Sequence, residues 1–467
     1  MQAPINILLW TVSQRVKEEA PLLPGGSCLQ KMRKPEIVAA FRQLARNLSP
    51  TEKERSFVSE VYQSVLEVLG ERNCLQIGSY PRFTSITPLH DLDVQYILGF
   101  QGEDTSNASK ALEELQRLLQ NRYNNPTQYA VEISRQTHSI TIAFKEGGDE
   151  VFAVDIVPAY ISGANEFGGD TYLVPEIFSK SHRAKMRRYE ELAERQQQMT
   201  WINSDPRGYI QVARAVNESN SDFRKAVKIA KAWKQACCEA NPHFKLKSFH
   251  LEQVITAYFC RGLSIEIFDA LFWFFCDLPG ILSEPRIPDR ADPNRMIDAY
   301  VADLSRLERQ TVIQARDHFL IHLENLTGAE DVPRLLEPGF RQRAGTAESF
   351  LFDQRIPVLI EDDAVLRIQG LALVRDGFRQ AVLDARGVIP IDRRICFSVV
   401  RGVPAELYKW KVRNDDRSPK PRGEITDHST AHNPEHTKYL GKHFVECYAI
   451  SGGVCIARVR QDVEIRG

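Results

Sequence analysis

The sequence lacks the features that define several large classes of protein. Its nine cysteines are scattered over 467 residues without a Cys-x-x-Cys pair, so we expect free thiols in a reducing compartment rather than a disulfide framework. Lys and Arg together number 60 against 61 Asp and Glu, and this balance gives no sign of a protein that coats nucleic acid. Internal repeats and low-complexity tracts are absent.

No segment of the sequence predicts a membrane span. The most apolar run, from Ile265 to Leu278, carries three acidic residues and is too short, so it favours a buried helix. The N-terminus has no basic start, and Ile5 to Trp10 is too short for the apolar part of a signal peptide. We therefore expect a cytoplasmic protein with no membrane partner.

The length and the changes in pattern predict several domains. Residues 1–180 mix helical and strand patterns, which predicts an α/β fold, and a linker is expected at 336–354. Apolar residues recur at helical spacing between 181 and 335, whereas 355–467 contains short β-rich runs separated by turns. The helical segments are 222–240, 247–262, 265–276 and 296–325.

Local signals predict several elements around the first candidate motif. A helix is expected to begin at Ser49, an N-cap followed three residues later by Glu52. Cys74 to Ile77 is typical of a short strand. Two alternating runs, at 140–144 and 151–157, are joined by a Gly-Gly-Asp turn and predict a β-hairpin.

Three aspartates form the clearest candidate site. Asp91 and Asp93 follow a Gly78-Ser79 turn, and Asp155 lies in the apolar run 151–157. Because successive side chains on a strand alternate faces, Asp91 and Asp93 share one face, about 6–7 Å apart. A solvated strand face is the alternative for two such aspartates alone. The turn and the third aspartate instead favour a nucleotidyltransferase. The third aspartate lies in an apolar run, and a carboxylate buried there without a partner is costly.

Carboxylates in this arrangement are suited to Mg²⁺, which prefers hard oxygen ligands. A two-metal site, with ions about 3.5–4 Å apart, activates a hydroxyl and stabilises the leaving oxygens of a triphosphate. We expect Asp91, Asp93 and Asp155 to hold two Mg²⁺ ions, with Mn²⁺ as an alternative, and Asp155 to assist in taking the hydroxyl proton. Gly78 would let the backbone approach the phosphates, and Ser79 offers them a hydroxyl and an N–H.

The Gly78-Ser79, Asp91-Leu92-Asp93 and Asp155 pattern resembles the polymerase-beta-like nucleotidyltransferase superfamily. Within it, the likeness is to the cGAS/DncV-like nucleotidyltransferases, also called second-messenger oligonucleotide or dinucleotide synthetases. Two later segments support that branch: Lys228–Lys234 is similar to its Lys-x-Trp helix, and Leu246–Glu252 to its Lys-Ser-aromatic-x-Leu-Glu helix start.

By that resemblance, Lys231 and Ser248 would hold the donor triphosphate. A lysine suits phosphate, and a helix start offers free N–H groups to an anion. Two alternatives remain open: Lys228, Lys231 and Lys234 could be one exposed stripe, and Ser248 could be a plain N-cap. The chain also departs from many relatives in carrying Phe83 where they have Gly before the Thr of the first motif.

The C-terminal region has a second likeness. Segments Tyr408–Asn414, Arg422–Ile425 and Glu435–Cys447 resemble the adenylyl/guanylyl cyclase and SMODS C-terminal sensor domain. The resemblance implies a sensor domain at 355–467, with an unknown ligand, that regulates the synthetase in bacterial antiphage defence (CBASS).

Together the likenesses imply an α/β, polymerase-beta-like core at 1–180, completed by a helical domain like that of 2′-5′-oligoadenylate synthases (181–335). Such an enzyme would condense nucleoside triphosphates, ATP or GTP among them, into a cyclic di- or oligonucleotide, releasing pyrophosphate. A downstream effector would respond to the product, and nucleic acid would act only as an activator. The alternatives are linear oligoadenylate synthesis, template-independent addition of nucleotides to RNA, and a non-catalytic binding protein.

Two other groups of residues suggest rival sites. A cluster of histidines and cysteines suggests zinc, but its spacing matches no common finger or ribbon, and a polar loop with satisfied core residues is the alternative. Its members are His428, His432, His436, His443, Cys447 and Cys455. The basic run from Lys180 to Arg188 is typical of a solvated helix, with a nucleotide or RNA groove wall as the alternative.

Overall fold

The computed structural model describes residues 35–102, 107–177, 199–261, 264–360, 364–373, 380–383, 387–427 and 433–467. The basic run at 180–188 and the N-terminal region before residue 35 lie outside the described residues, so the interpretation of that run stays a prediction. Contacts divide the chain into two compact units. The first contains residues 40–312 with 336–338, and the second contains residues 313–335 with 339–467.

A seven-stranded sheet forms the centre of the first unit. Its strands lie in the order β1-β2-β5-β4-β3, with β6 beside β5 and β7 beside β6. Strands β2 and β5 are parallel, and β4 and β5 form the predicted antiparallel hairpin. The strands are β1 (Cys74–Ile77), β2 (Asp91–Phe100), β3 (Ala130–Arg135), β4 (Ile140–Glu146), β5 (Asp149–Ala164), β6 (Asp170–Ile177) and β7 (Met199–Ser204).

Most of the described helices lie in the first unit. The prediction of a helical region from residue 181 onward is wrong at 199–204, which is strand β7. The predicted helix at 296–325 is divided into a 3₁₀ turn (Ala299–Asp303) and a separate α-helix. The helices are α1 (Pro35–Asn47), α2 (Glu52–Leu69), α3 (Ala108–Arg122), α4 (Pro206–Ser219), α5 (Phe223–Ala240), α6 (Ser248–Cys260), α7 (Ile267–Ile281) and α8 (Arg306–Glu324).

Helices α2 and α3 cover one face of the sheet with aliphatic side chains. The buried cluster joins α2 and α3 to the alternate residues of β2, β4 and β5 that point toward them. Leu92, Val94, Val154 and Ile156 are each at most 1% exposed. Because neighbouring strand residues face opposite sides, this packing commits the residues between them to the other face of the sheet.

The start of α2 is tied to the loop that leads into β2. The N-cap is Thr51, in a capping box with Glu54, so the prediction of Ser49 as the cap is wrong. The motif Ser/Thr-x-x-Glu occurs twice in overlap, and the second copy forms the box. The Glu54 carboxylate also accepts a hydrogen bond from the Leu89 N–H (2.8 Å) and one from the Thr87 hydroxyl (2.8 Å). This contact fixes the entry into β2.

Helices α5, α6 and α7 pack around aromatic side chains. The Trp233 ring meets Phe275 edge to face at 4.7 Å between centroids and Phe244 at 5.3 Å. The predicted buried helix in the most apolar run is confirmed as α7, whose Phe274 is fully buried. Among the described helices, none combines the length and apolar character needed to cross a membrane.

The second unit is rich in β-structure, as predicted. One sheet has the strand order β10-β16-β15-β12-β13 and the other β14-β11-β8-β9, and one apolar cluster contains buried side chains from both sheets. Residues 355–360, at the start of the predicted β-rich region, follow a 3₁₀ turn (Leu351–Gln354) and contribute only an isolated bridge at Val358. The strands are β8 (Arg367–Leu373), β9 (Gln380–Val382), β10 (Val388–Pro390), β11 (Arg394–Arg401), β12 (Leu407–Arg413), β13 (Ile425–Thr426), β14 (Glu435–His436), β15 (Gly441–Ser451) and β16 (Val454–Arg466).

Candidate functional site

The sheet brings the three aspartates onto one face. In the parallel pairing of β2 with β5, Asp93 lies directly beside Asp155, and Asp91 precedes Asp93 by two residues on the same face. This is the face opposite helices α2 and α3. The expectation that two neighbouring strands bring the aspartates together therefore agrees with the strand register.

Gly78 follows β1 and allows the turn to approach Asp93 closely. Its φ of +74° lies in the left-handed region. A Cβ atom added at this position would lie 1.8 Å from the Asp93 Oδ2 atom. Both the backbone conformation and the space require glycine here, so the Gly78-Ser79 turn is part of the aspartate site.

Negative charge is concentrated at this face of the sheet. Burial, followed by the charges of Asp91 and Asp155, raises the pKa of Asp93 to about 7. Burial and the charge of Asp155 also raise the pKa of Asp91, while the charge of Lys231 lowers it. Carboxylates this close together on one face of the sheet repel each other, which disfavours their simultaneous ionisation. The site therefore has a deficit of positive charge.

The donor set suits a hard divalent cation, although the carboxylates are not gathered around one point. In the described part of the chain, no three His, Cys, Asp or Glu side chains stand in position to ligate a single ion. The Oδ1 atom of Asp155 instead accepts a hydrogen bond from the Thr141 hydroxyl. The three carboxylates nevertheless share one face of two neighbouring strands, so the residues fit a metal by placement and chemistry.

A buried ion network that the sequence did not predict lies beside the aspartates. The fully buried Glu252, on α6, accepts hydrogen bonds from Arg82 Nε (2.6 Å), Lys231 Nζ (2.7 Å) and the Thr84 hydroxyl (2.9 Å). Burial acts to raise the pKa of Glu252, but the charges and hydrogen bonds of Arg82 and Lys231 outweigh burial and lower it to about 2. The charges of Arg82 and Lys231 also lower the pKa of Asp93.

The two residues predicted to hold phosphate lie on neighbouring helices. Lys231, on α5, is only 6% exposed, so the alternative of an exposed lysine stripe is wrong, and Lys228 donates a hydrogen bond to the Ser49 hydroxyl (2.7 Å). Ser248 is the first residue of α6 and Lys247 is its N-cap, so the alternative that Ser248 is the cap is also wrong. Contact of either residue with phosphate stays a prediction.

Phe83 adopts a conformation that normally requires glycine. Its φ is +59°, and the residue is 63% exposed. The conformation lets Arg82 and Thr84, on either side, both reach Glu252. The Arg224 guanidinium lies 4.8 Å from the centre of the Phe83 ring. The departure from the family pattern therefore places a phenylalanine in a left-handed backbone and adds a cation–π contact.

Gln95 is a second residue that the sequence did not indicate. It follows Asp93 by two residues, so it shares the face of the aspartates, and it is fully buried. Within the described residues, neither its amide oxygen nor its amide nitrogen has a hydrogen-bond partner. A buried amide of this kind is expected to bind water.

The zinc alternative finds no support in the described residues of its cluster. His443 is fixed by the backbone: its Nδ1 accepts from the Asp415 N–H (3.2 Å), and its Nε2 lies 2.9 Å from the Tyr439 carbonyl oxygen. Cys447 and Cys455 are fully buried. None of the described histidines and cysteines of this cluster belongs to a set of three His, Cys, Asp or Glu side chains positioned to ligate one ion. His428 and His432 lie outside them.

Comparisons with known proteins agree with both likenesses. Residues 348–466 match the family model described as the Adenylyl/Guanylyl and SMODS C-terminal sensor domain. The chain is 25% identical over 202 residues to the Cyclic AMP-AMP-AMP synthase of Escherichia coli (strain MS 115-1), a match that covers 42% of this chain and 54% of the synthase. The chain thus spans about half the length of the curated relative. These matches confirm the resemblance predicted from the sequence.

Solved structures of the same group are also similar. Escherichia coli MS115-1 CdnC with ATP shares 16% identity, with a TM-score of 0.47, covering 67% of this chain and all of that chain. Bradyrhizobium diazoefficiens CD-NTase CdnG in complex with GTP shares 13% identity, with a TM-score of 0.42, covering 66% of this chain and 98% of that chain.

We expect Phe83→Ala to be less stable than Phe83→Gly. Both changes remove the contact between the ring and Arg224, but only alanine retains the left-handed strain, which costs about 1–2 kcal/mol. The urea midpoints of the two full-length variants measure the difference. An alanine variant as stable as the glycine variant would contradict a strained backbone at this position.

We expect Glu252→Gln to destabilise the chain by about 3–5 kcal/mol, because it leaves two buried cations without a full counter-charge. Urea unfolding measures this loss, and combining the change with Lys231→Met should recover part of it. The matched control is Glu218→Gln, which breaks an exposed pair with Arg214 and should leave the urea midpoint unchanged.

The Glu252 network also predicts a pH dependence. Because the folded-state pKa of Glu252 is about 2 against an ordinary value of 4.5, the stability contributed by ionised Glu252 is fully present above about pH 4.5. It is lost as the pH falls toward 2. If the Gln variant lost as much stability between pH 5 and 3 as the wild type, this assignment would be wrong.

Proposed function

We propose that the chain is a nucleotidyltransferase that condenses nucleoside triphosphates into a cyclic di- or oligonucleotide, releasing pyrophosphate. The observation that carries the proposal is the strand register that sets Asp155 beside Asp93, with Asp91 on the same face and Gly78 against Asp93. A polymerase-beta-like core is the fold that this arrangement supports. The likeness to the Cyclic AMP-AMP-AMP synthase favours a cyclic product over linear oligoadenylate or RNA tailing.

Asp91, Asp93 and Asp155 would hold the metal, two Mg²⁺ ions or Mn²⁺ in their place. When bound, these ions would supply positive charge for the triphosphate and acidify the attacking hydroxyl. Asp155 remains our candidate for taking the proton of the attacking hydroxyl.

Positive charge for the phosphates would come from the chain itself. Lys231 is held in place by Glu252 and Thr84, so its ammonium group acts from a fixed position. Ser248, at the first turn of α6, and Ser79, after Gly78, would add hydroxyl and backbone N–H donors. Fixed donors need no reorganisation as charge develops on the leaving pyrophosphate.

The wider role follows from the two likenesses together. ATP and GTP are the substrates that we propose, and the product would be a second messenger read by a downstream effector in antiphage defence. The C-terminal unit would act as a sensor that regulates synthesis, and nucleic acid would enter only as an activator.

Asp91→Ala should lower pyrophosphate release from a mixture of nucleoside triphosphates and Mg²⁺ by at least about 100-fold, the scale expected when a preorganised electrostatic contact is lost. Mass spectrometry of the wild-type product after phosphatase treatment should show a resistant, cyclic species. The control is Asp149→Ala, an exposed carboxylate at the start of β5, which should retain full activity.

Each outcome of this assay decides one point. Equal pyrophosphate release by wild type and the Asp91 variant would refute the catalytic assignment. Release that depends on Asp91 but gives only products trimmed by phosphatase would leave the nucleotidyltransferase and replace the cyclic product with a linear one.

Gly78→Ala should reduce pyrophosphate release about 100-fold or more, because the added methyl group must displace the Asp93 carboxylate and small misplacements are costly. Gly147→Ala is a matched control. Gly147 also has a positive φ, +61°, but an added Cβ would meet no atom within 4 Å. A Gly78 variant as active as the Gly147 variant would argue against a crowded, functional turn.

A further inference from the structure

The β-rich unit contains a cavity of about 270 Å³ between its two sheets. Its floor is formed by side chains of both sheets, among them Phe397 from β11 and Val445 and Val463 from β15 and β16, each at most 5% exposed. Protein interiors are close-packed, and an apolar space of this size is poorly suited to water. The floor is therefore suited to an apolar group of a ligand.

The mouth of the cavity has the opposite character. Three cationic side chains, Lys420, Arg422 and Lys438, line it against one carboxylate, Glu435. Arg422 forms a two-pronged pair with Glu435, at 2.6 and 3.3 Å. In the described part of the chain, Lys420 and Lys438 form no ion pair. The mouth thus has a surplus of positive charge that an anion would balance.

The walls are held by the backbone and need no ligand to form. Thr437 is 2% exposed, its hydroxyl accepts from the Arg393 N–H (2.7 Å), and its N–H donates to the Arg393 carbonyl oxygen (2.8 Å). His443 is fixed by two backbone contacts. Burial is the largest influence on the pKa of His443 and lowers it, so this imidazole lines the cavity without adding positive charge. A preformed site loses little entropy on binding.

A second cavity of about 160 Å³ adjoins the first. Trp410 and Thr426 line it, and it shares Val412, Arg422 and Glu435 with the larger space. The Arg422–Glu435 pair therefore lies where the two cavities meet. An anionic group placed there would compete with Glu435 for the Arg422 guanidinium, whose planar donors match phosphate or carboxylate.

We propose that this cavity binds an organic anion of about mononucleotide size that carries no bound metal ion. Its planar apolar body would lie on the floor, and its phosphate group would lie at Lys420, Arg422 and Lys438. The aromatic rings of Phe397 and Tyr439 among the lining residues suit a flat ring system. The inference concerns a different unit from the aspartates and does not rest on the proposed catalysis.

The test is hydrogen–deuterium exchange of the full-length chain with AMP or GMP, in the presence of a chelator so that metal-dependent binding elsewhere is suppressed. We expect slower exchange in peptides that cover 435–446, with an apparent Kd at least about tenfold weaker in the Lys420→Glu/Lys438→Glu double variant. Both lysines are exposed, so the double variant is expected to fold. Lys442→Glu, next to His443 but on the other face of β15, is the matched control and should bind normally.

Two further probes in the same experiment determine the chemical class of the ligand. Adenosine alone and inorganic phosphate alone should each protect less than AMP. If inorganic phosphate protected the segment as well as AMP does, the site would be a general anion surface and the proposal would be wrong. Unchanged protection by AMP in the double variant would also overturn it, as would the absence of protection with every probe. The Asp91→Ala variant should bind AMP in this segment like wild type, so failure of the catalytic proposal and failure of this one are distinguishable.

Discussion

Mutual repulsion among three carboxylates is the constraint on which the first unit depends. Packing α2 and α3 against one face of the sheet commits Asp91, Asp93 and Asp155 to the other, where burial and repulsion raise the pKa of Asp93 to about 7. Arg82 and Lys231 offset part of this charge, but both are themselves buried and need an anion of their own. Such arrangements are maintained at functional sites despite their cost in stability.

Glu252 supplies that anion and connects the helices to the glycine-serine turn. Arg82 and Thr84 reach Glu252 from the turn, and Lys231 reaches it from α5. The turn presents Arg82 and Thr84 to the same carboxylate, with Phe83 between them in a left-handed conformation. A glycine would adopt this backbone without strain, whereas the phenylalanine adds a ring that lies against the Arg224 guanidinium outside the core. The shape of the turn, the buried cations and the charge of the aspartates therefore form one coupled system.

Strand alternation and apolar flanks were enough to predict that Asp91 and Asp93 share a face, and that Asp155 lies on a second strand of a hairpin. The partners of these residues could not be predicted in the same way. The Glu252 contact with Arg82 joins positions 170 residues apart, and local pattern does not encode a contact of that kind. The cap of α2 was misplaced because two overlapping motifs met the same rule. The short, half-buried strands β3, β6 and β7 carry too weak an alternation to distinguish them from loops or helices.

The two units have opposite electrostatic requirements, and this bears on what each can bind. The aspartate face is deficient in positive charge, so the triphosphate that we propose as its substrate could approach it only together with cations. The cavity of the β-rich unit has cationic side chains in excess over one carboxylate and an apolar floor. Among the described residues that line this cavity, Glu435 is the one carboxylate, which is too few to retain a metal ion. An anion whose charge is already neutralised by Mg²⁺ would therefore lose the attraction that the mouth provides. Free divalent metal should therefore favour binding at the first site and weaken it at the second. The fraction of a nucleotide that carries a bound metal ion would then determine which of the two units binds it.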